Sequence, residues 1–189
     1  MRFKKFNGDV IEDLAVYLKS YFAQGVGGEY EIYVGCDSLP PKKKQTTYVT
    51  VVCIRNIGRG VHILYRKDRD TNVKPIRSKK ETAKDMDASI KQRLQKEVQL
   101  SIEVADYLRS KGILTYRDKG NNVKSLHIDI HLDINPDATQ KSNKVFDYAI
   151  GYVQAMGFAF TTKPNAWAAT YAADMVCRGR FDHVPAEKK

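Results

Sequence analysis

Cysteine is scarce in this sequence and forms no paired motif. The 189 residues contain three cysteines, Cys36, Cys53 and Cys177, which are odd in number and make no CxxC pair. A scaffold held together by disulfides is therefore not indicated, and reduced thiols in a cytoplasmic setting are the simpler interpretation. Cys36 and Cys53 fall within strand-like runs, so we expect both to be small core residues.

Long apolar runs are also missing. No stretch approaches the roughly 20 apolar residues that a membrane-spanning helix requires. The first residues are partly basic, but no apolar stretch follows them, so they lack the pattern of a signal peptide. We therefore expect a cytoplasmic protein without a membrane partner.

Several common catalytic motifs are absent as well. The sequence has no glycine-rich phosphate loop ending in Gly-Lys-Ser or Gly-Lys-Thr, no GxGxxG fingerprint and no GxSxG elbow. His127 and His131 lack the additional cysteine or histidine ligands of a zinc site. Nucleotide binding through those loops, serine-hydrolase chemistry and a zinc centre are thus unsupported.

Positive charge, by contrast, is in excess. Lysine and arginine number 32 against 22 aspartates and glutamates, which gives a formal net charge of +10. Such a surface attracts polyanions, of which nucleic acid is the usual one. Two local basic clusters, at 42–44 and 77–80, are either solvated loops or contacts to a phosphate backbone.

The hydrophobic pattern predicts one α/β domain. Helical periodicity at 9–24 indicates an amphipathic helix with Asp9 as its N-cap, and a glycine-rich turn at 56–60 joins two strands into an antiparallel hairpin. Residues 68–86 and 116–124 are interpreted as polar loops. The predicted elements, in chain order, are a helix at 9–24, strands at 30–36, 46–55 and 60–67, a helix at 88–110, a strand at 127–133, a helix at 139–156, a strand at 158–161 and a helix at 166–177.

The order of these elements predicts how the sheet and the helices are arranged. After the N-terminal helix it is βββαβαβα, which predicts a mixed five-stranded sheet flanked by helices. We expect an N-terminal helical extension at 1–28 that packs on the domain, the α/β domain itself at 29–178, and a basic tail at 179–189.

Asp37 is the first candidate for a functional residue. It directly follows the predicted strand at 30–36, where a carboxylate is half shielded and held on a rigid element. That position suits a metal ligand. The alternative is a turn-forming Asp-Ser pair with Ser38, ahead of Pro40 and Pro41.

Four runs of the sequence resemble those of a predicted ribonuclease H-like nuclease family, whose members are small bacterial and phage proteins formerly described as a domain of unknown function. The runs are 32–38, 96–105, 130–136 and 163–174, and the resemblance covers roughly residues 30–178. The ribonuclease H-like fold has the element order predicted above. The resemblance therefore implies that fold and a nuclease activity.

The resemblance also implies a site. That fold places acidic residues at the end of the first strand, in the first helix, at the end of the fourth strand and in the last helix. Mg²⁺ and Mn²⁺ prefer oxygen ligands, and two such ions roughly 4 Å apart can activate a water and stabilise the leaving oxygen of a phosphodiester. The residues at these four points are Asp37, Glu97, Asp133 and Asp174, which are the implied catalytic and metal-binding residues. Asp37 would bridge both ions.

Two other acidic residues compete for these roles. Glu103 lies six residues after Glu97 and turns to a different helix face, so Glu97 is favoured. Asp129 points to the same side as Asp133, further back along the strand, so it is a candidate for an outer group. For Asp174 the alternative is a solvated helix charge, which its apolar neighbours argue against.

Several polar residues are candidates for substrate binding. His131 could bind substrate or shuttle protons, or it could be a packed, hydrogen-bonded histidine. Lys163 could meet phosphate or could be a surface lysine. The full set of candidate substrate-binding residues is Ser38, Lys42, Lys43, Lys44, His131 and Lys163.

Three functional hypotheses follow. The leading one is a nuclease that uses Mg²⁺ or Mn²⁺ to cut a phosphodiester bond of DNA or RNA with water. The second is a nucleic-acid-binding or assembly module that keeps the fold without turnover, and the third is a structural homodimer joined through a strand edge or a helix. Co-location of the four carboxylates favours the first hypothesis.

Overall fold

The computed structural model describes residues 1–24, 28–42, 45–70, 83–118 and 120–180. Lys43 and Lys44, the basic cluster at 77–80 and the tail at 181–189 therefore lie outside the described residues. The strands are β1 (Phe3–Lys5), β2 (Val10–Ile11), β3 (Tyr30–Lys42), β4 (Gln45–Asn56), β5 (Gly60–Asp70), β6 (Thr115–Arg117), β7 (Val123–Ser125), β8 (Ile128–Leu132) and β9 (Ala159–Thr162). The helices are α1 (Leu14–Ala23), α2 (Ala83–Ser110), α3 (Phe146–Ala155) and α4 (Asp174–Cys177), with a 3₁₀ turn at Lys141–Val145 and a π-helical turn at Ala168–Ala173.

The main sheet has the strand order β2-β1-β5-β4-β3-β8-β9. Strands β3, β4 and β5 form an antiparallel meander, and β8 and β9 add to it in parallel. The predicted mixed five-stranded sheet is confirmed as the centre of this arrangement. Strands β1 and β2 extend it, because Lys4 and Lys5 pair with the outer edge of β5.

The two faces of the sheet are covered unequally. Helices α1, α2 and α3 all pack on one face, which we call the α2 face, and they share one hydrophobic core with it. The opposite face is covered by the π-helical turn and α4, which together we call the terminal segment. Small side chains allow this segment to lie close to the strands, and its core contacts are Val49, Val51, Cys53 and Tyr65 against Ala168, Ala172, Ala173 and Val176.

The N-terminal region differs from its prediction. Residues 10 and 11 pair with β1, with Phe3 opposite Ile11, so the helix begins later than expected. Asp13, not Asp9, is the N-cap, and it accepts a hydrogen bond of 2.9 Å from the backbone N–H of Val16. That bond lowers the pKa of Asp13 to about 2.

Other elements also differ from their predictions: β5 runs on to Asp70, and α3 begins at Phe146 after a 3₁₀ turn. Strand β3 continues through Asp37, because β4 supplies partners as far as Leu39, so Asp37 does not open a turn. Helix α2 begins at Ala83, five residues before the predicted start. The predicted loop at 116–124 contains a two-stranded ribbon, in which Tyr116 pairs with Lys124. Among the described residues, no helix has the length and apolar character needed to cross a membrane.

Candidate carboxylate site

Asp37 and Asp133 lie on neighbouring parallel strands. The pairing of β3 with β8 runs from Ile32 opposite Ile128 to Gly35 opposite His131. Each aspartate is two residues beyond this last pair, so both carboxylates leave the same end of adjacent strands, which are about 4.8 Å apart. This shared strand end forms one side of the candidate site.

Helix α2 brings Glu97 to the site from the other side of the sheet. The Glu97 carboxylate is buried and accepts a 2.5 Å hydrogen bond from the Ser38 hydroxyl. Arg93, one helical turn earlier, donates to the Ser38 carbonyl at 2.8 Å and lies 3.3 Å from Glu97. Ser38 is therefore a buried link between β3 and α2, not a group that faces solvent.

The terminal segment brings Asp174 over the strands, and Gly35 makes this approach possible. A Cβ atom built at Gly35 would lie 2.6 Å from the backbone nitrogen of Ala169, which is closer than real contacts allow. Further along the segment, the Cys177 thiol donates to the Asp37 carbonyl at 3.4 Å. The absence of a side chain at Gly35 thus permits the segment that carries Asp174 to pack on the strand that carries Asp37.

The pKa values of two carboxyls reflect this crowding. Burial raises the pKa of Asp37 to about 6, and the charges of Asp133 and Asp174 add to the shift. Burial raises the pKa of Glu97 to about 8, where Asp37 and Asp133 again act in the same direction and Arg93 opposes them. Asp37 is therefore near enough to Asp133, Asp174 and Glu97 for their charges to interact.

Three of the four carboxylates have a basic partner. Arg93 pairs with Glu97, Lys163 lies 2.9 Å from Asp133, and the guanidinium of Arg178 lies 2.5 Å from Asp174. The Thr170 hydroxyl also donates to Asp133 at 2.9 Å. Among the residues that the structure describes, no three His, Cys, Asp or Glu side chains are arranged to hold an ion.

The donor set nevertheless fits a hard divalent cation in its chemistry. It consists of carboxylate oxygens, which are the ligands that Mg²⁺ and Mn²⁺ prefer. Burial is the main cause of the raised pKa of Asp37, and the repulsion from Asp133 and Asp174 that adds to it would be relieved by a positive ion. The residues that would hold the ion are Asp37, Glu97, Asp133 and Asp174. The basic partners of the last three would first have to move away from the carboxylates.

His131 has the surroundings of a packed, hydrogen-bonded histidine, which is one of the alternatives that the sequence left open. It is 2% exposed, and its ring lies 4.7 Å from that of Tyr33 and 5.6 Å from that of Trp167. The backbone N–H of Ala168 donates to His131 Nδ1 at 3.0 Å, so this nitrogen accepts and carries no proton. The ring thereby holds the start of the terminal segment against β8.

The two competing acidic residues have partners other than the four carboxylates, and Asp129 also lies 3.5 Å from the Nε2 of His131. Glu103 is half exposed and pairs with Arg66 at 3.2 Å. Asp129 accepts a 2.8 Å hydrogen bond from the Thr161 hydroxyl on β9. Of the remaining substrate candidates, Lys163 meets Asp133, and Lys42 ends β3.

Sequence reasoning named Lys163 but missed the two arginines of the site. Arg93 and Arg178 each lie four positions from the carboxylate with which they pair, Glu97 and Asp174. Residues at this spacing are neighbours on a helix surface. The spacing was therefore the signal that would have found both arginines.

The similarity of the chain to known proteins agrees with this geometry. A family model described as Ribonuclease H-like matches residues 13–178. No match was found among curated proteins or among solved structures. The matched range extends from the N-cap of α1 to the residue after α4 and contains all four carboxylates.

Proposed function

Because the chain belongs to the ribonuclease H-like family, we propose that it is a metal-dependent nuclease that hydrolyses phosphodiester bonds of nucleic acid. The observation that carries this proposal is the convergence of carboxylates from β3, α2, the end of β8 and α4 on one strand end. Their electrostatic influence on the pKa values of Asp37 and Glu97 supports a shared site. The net charge of +10 agrees with a polyanionic substrate.

The chain's own residues have distinct tasks in this proposal. Asp37, Glu97, Asp133 and Asp174 would hold Mg²⁺ or Mn²⁺, which when bound supplies an activated water and stabilises the leaving oxygen. Glu97 must lose its proton before it can act as a ligand, because its pKa is raised to about 8. Lys163 stands beside Asp133, where it can contact a substrate phosphate once it leaves the carboxylate.

The test is a cleavage assay on labelled single-stranded and duplex DNA and RNA, a hybrid and a four-way junction, each with Mg²⁺ or Mn²⁺. We expect metal-dependent cutting that Asp37→Asn abolishes. Glu103→Gln is the matched control, because Glu103 lies on the same helix as Glu97 but pairs with Arg66 at the surface. Cutting that survives in Asp37→Asn, or no cutting by any protein in the panel, would refute the proposal.

One observation favours a second function. Arg93, Lys163 and Arg178 already neutralise three of the carboxylates, which is also what structural ion pairs would do. A non-catalytic nucleic-acid-binding or assembly module would bind nucleic acid in a salt-sensitive way and cut none of the substrates. The cytoplasmic location, the homodimer and the division at residues 28 and 178 stay predictions.

A further inference from the structure

Strand β5 separates its charges by face. Successive side chains of a strand point to opposite sides, so Arg66, Asp68 and Asp70 share the α2 face and Lys67 and Arg69 share the opposite one. On the α2 face, Arg66 pairs with Asp68 at 2.8 Å and with Glu103. Both acidic residues of this stretch therefore lie on the α2 face, and the opposite face receives only positive charge from it.

The face that receives Lys67 and Arg69 is the one that carries Asp37. Asp37 pairs with Val49 across β3 and β4, and Val49 pairs with Lys67 across β4 and β5. Residues directly opposite each other point to the same side of a sheet, so these three side chains form one row. Two strand spacings separate Lys67 from Asp37, which is about 10 Å.

Lys67, at the outer end of this row, lines a basic groove between β1 and β5. A groove of about 710 Å³ lies where β1 begins beside β5, and five of its eight lining residues are lysine or arginine while one is acidic. Arg2 and Arg66 are engaged with Glu12 and with Asp68 and Glu103, respectively. Lys4, Lys67 and Arg69 have exposed side chains, and the Lys67 ammonium lies 5.7 Å from the centre of the Tyr65 ring.

We propose that Lys67 and Arg69, with Lys4 beside them, bind the phosphate backbone of the nucleic acid, so that the substrate approaches Asp37 from the β5 side of the sheet, past the terminal segment that covers Val49. This inference rests on the proposed nuclease function and adds the side from which the substrate enters. Lysine and arginine contacts to phosphate position a nucleic acid without reading its sequence. The site is therefore expected to bind nucleic acids of different sequence with similar affinity.

The test measures the salt dependence of binding. Anisotropy of a labelled oligonucleotide, as a single strand and as a duplex, is recorded in EDTA for the wild type and for Lys67→Gln/Arg69→Gln. Each lost phosphate contact lowers the slope of log affinity against log salt by ~0.7 for a single strand or ~0.9 for a duplex, so we expect the slope to fall by about 1.4 to 1.8. With metal and a cleavable substrate, we expect KM to rise and kcat to stay unchanged.

The matched control is Lys19→Gln/Lys124→Gln, which removes the same charge from exposed positions beyond the opposite end of β3. Its slope should equal that of the wild type. If Lys67→Gln/Arg69→Gln keeps the wild-type slope while cutting still requires Asp37, the path lies elsewhere and the nuclease proposal stands. If the wild type shows no salt-sensitive binding, the phosphate-contact proposal is refuted, and the metal-dependent cleavage assay alone decides the nuclease proposal.

Discussion

Replacing Gly35 by alanine probes the packing that brings Asp174 to Asp37. The added Cβ would lie 2.6 Å from the nitrogen and 2.9 Å from the Cα of Ala169, so it meets backbone, which cannot rotate away as a side chain can. Gly35 does not have a left-handed φ, so alanine strains no torsion and the cost comes from this contact alone. The terminal segment must therefore shift away from β3.

The size of the effect follows from the kind of contact. Overpacking of a well-packed core costs typically 1–3 kcal/mol, and a clash between two backbones places Gly35→Ala at about 3 kcal/mol. For a chain of this length each kcal/mol corresponds to ~2–4 °C in melting temperature, so we expect a decrease of about 6–12 °C. Because Asp174 moves with the segment, metal-dependent cleavage should fall as well.

Gly151→Ala is the matched control for the melting measurement. Gly151 lies in α3, and an added Cβ there has no neighbour within 4 Å. Alanine in an open helical position should stabilise the protein by about 0.5–1 kcal/mol. If Gly35→Ala melts at the same temperature as the wild type, the close approach of the terminal segment to β3 does not exist and the reasoning is wrong.

The remaining predictions concern the charged groups of the site. The pKa of Glu97 is raised from 4.5 to about 8, so the folded state binds more protons between these pH values. The free energy of unfolding should therefore fall by up to about 5 kcal/mol as the pH rises through this range. Urea titrations of Glu97→Gln should show a smaller dependence of this free energy on pH, and the same dependence as in the wild type would refute the prediction. Lys163→Met removes a partly exposed counter-charge of Asp133, so calorimetry should show Mn²⁺ binding up to about fivefold tighter, and weaker binding would contradict this. Ser38→Ala should lower the free energy of unfolding by about 1–3 kcal/mol and leave KM unchanged, because the buried Ser38 hydroxyl donates a hydrogen bond to Glu97. A higher KM at unchanged stability would contradict that role.

Periodic patterns predicted the central fold well. The alternation at 127–133 placed Ile128, Ile130 and Leu132 in the core, and all three are buried there. The outer strands β1 and β2 were missed because two or three residues are too few to show a period. Asp9 was taken for the N-cap because helical spacing alone does not show that residues 10 and 11 pair with β1.

The resemblance of four runs pointed to Asp37, Glu97, Asp133 and Asp174 as candidates. The contacts around these carboxylates could not be predicted from the sequence. The bond between Ser38 and Glu97 joins residues 59 positions apart, and no local pattern reports such a distance. Gly35 is an exception, because a glycine inside a strand often marks a close approach of another backbone. Its position in the sequence was a signal for this contact that had not been used.

The outer halves of β3, β4 and β5 project as a ledge beyond their neighbouring strands. β8 pairs with β3 only as far as Gly35, and β1 pairs with β5 only as far as Tyr65. Such open edges invite another chain to add a strand. Here one edge consists of charged residues at every position from Arg66 to Asp70, and the other contains Pro40 and Pro41, which have no N–H to donate. The ledge is thus protected against edge-to-edge aggregation.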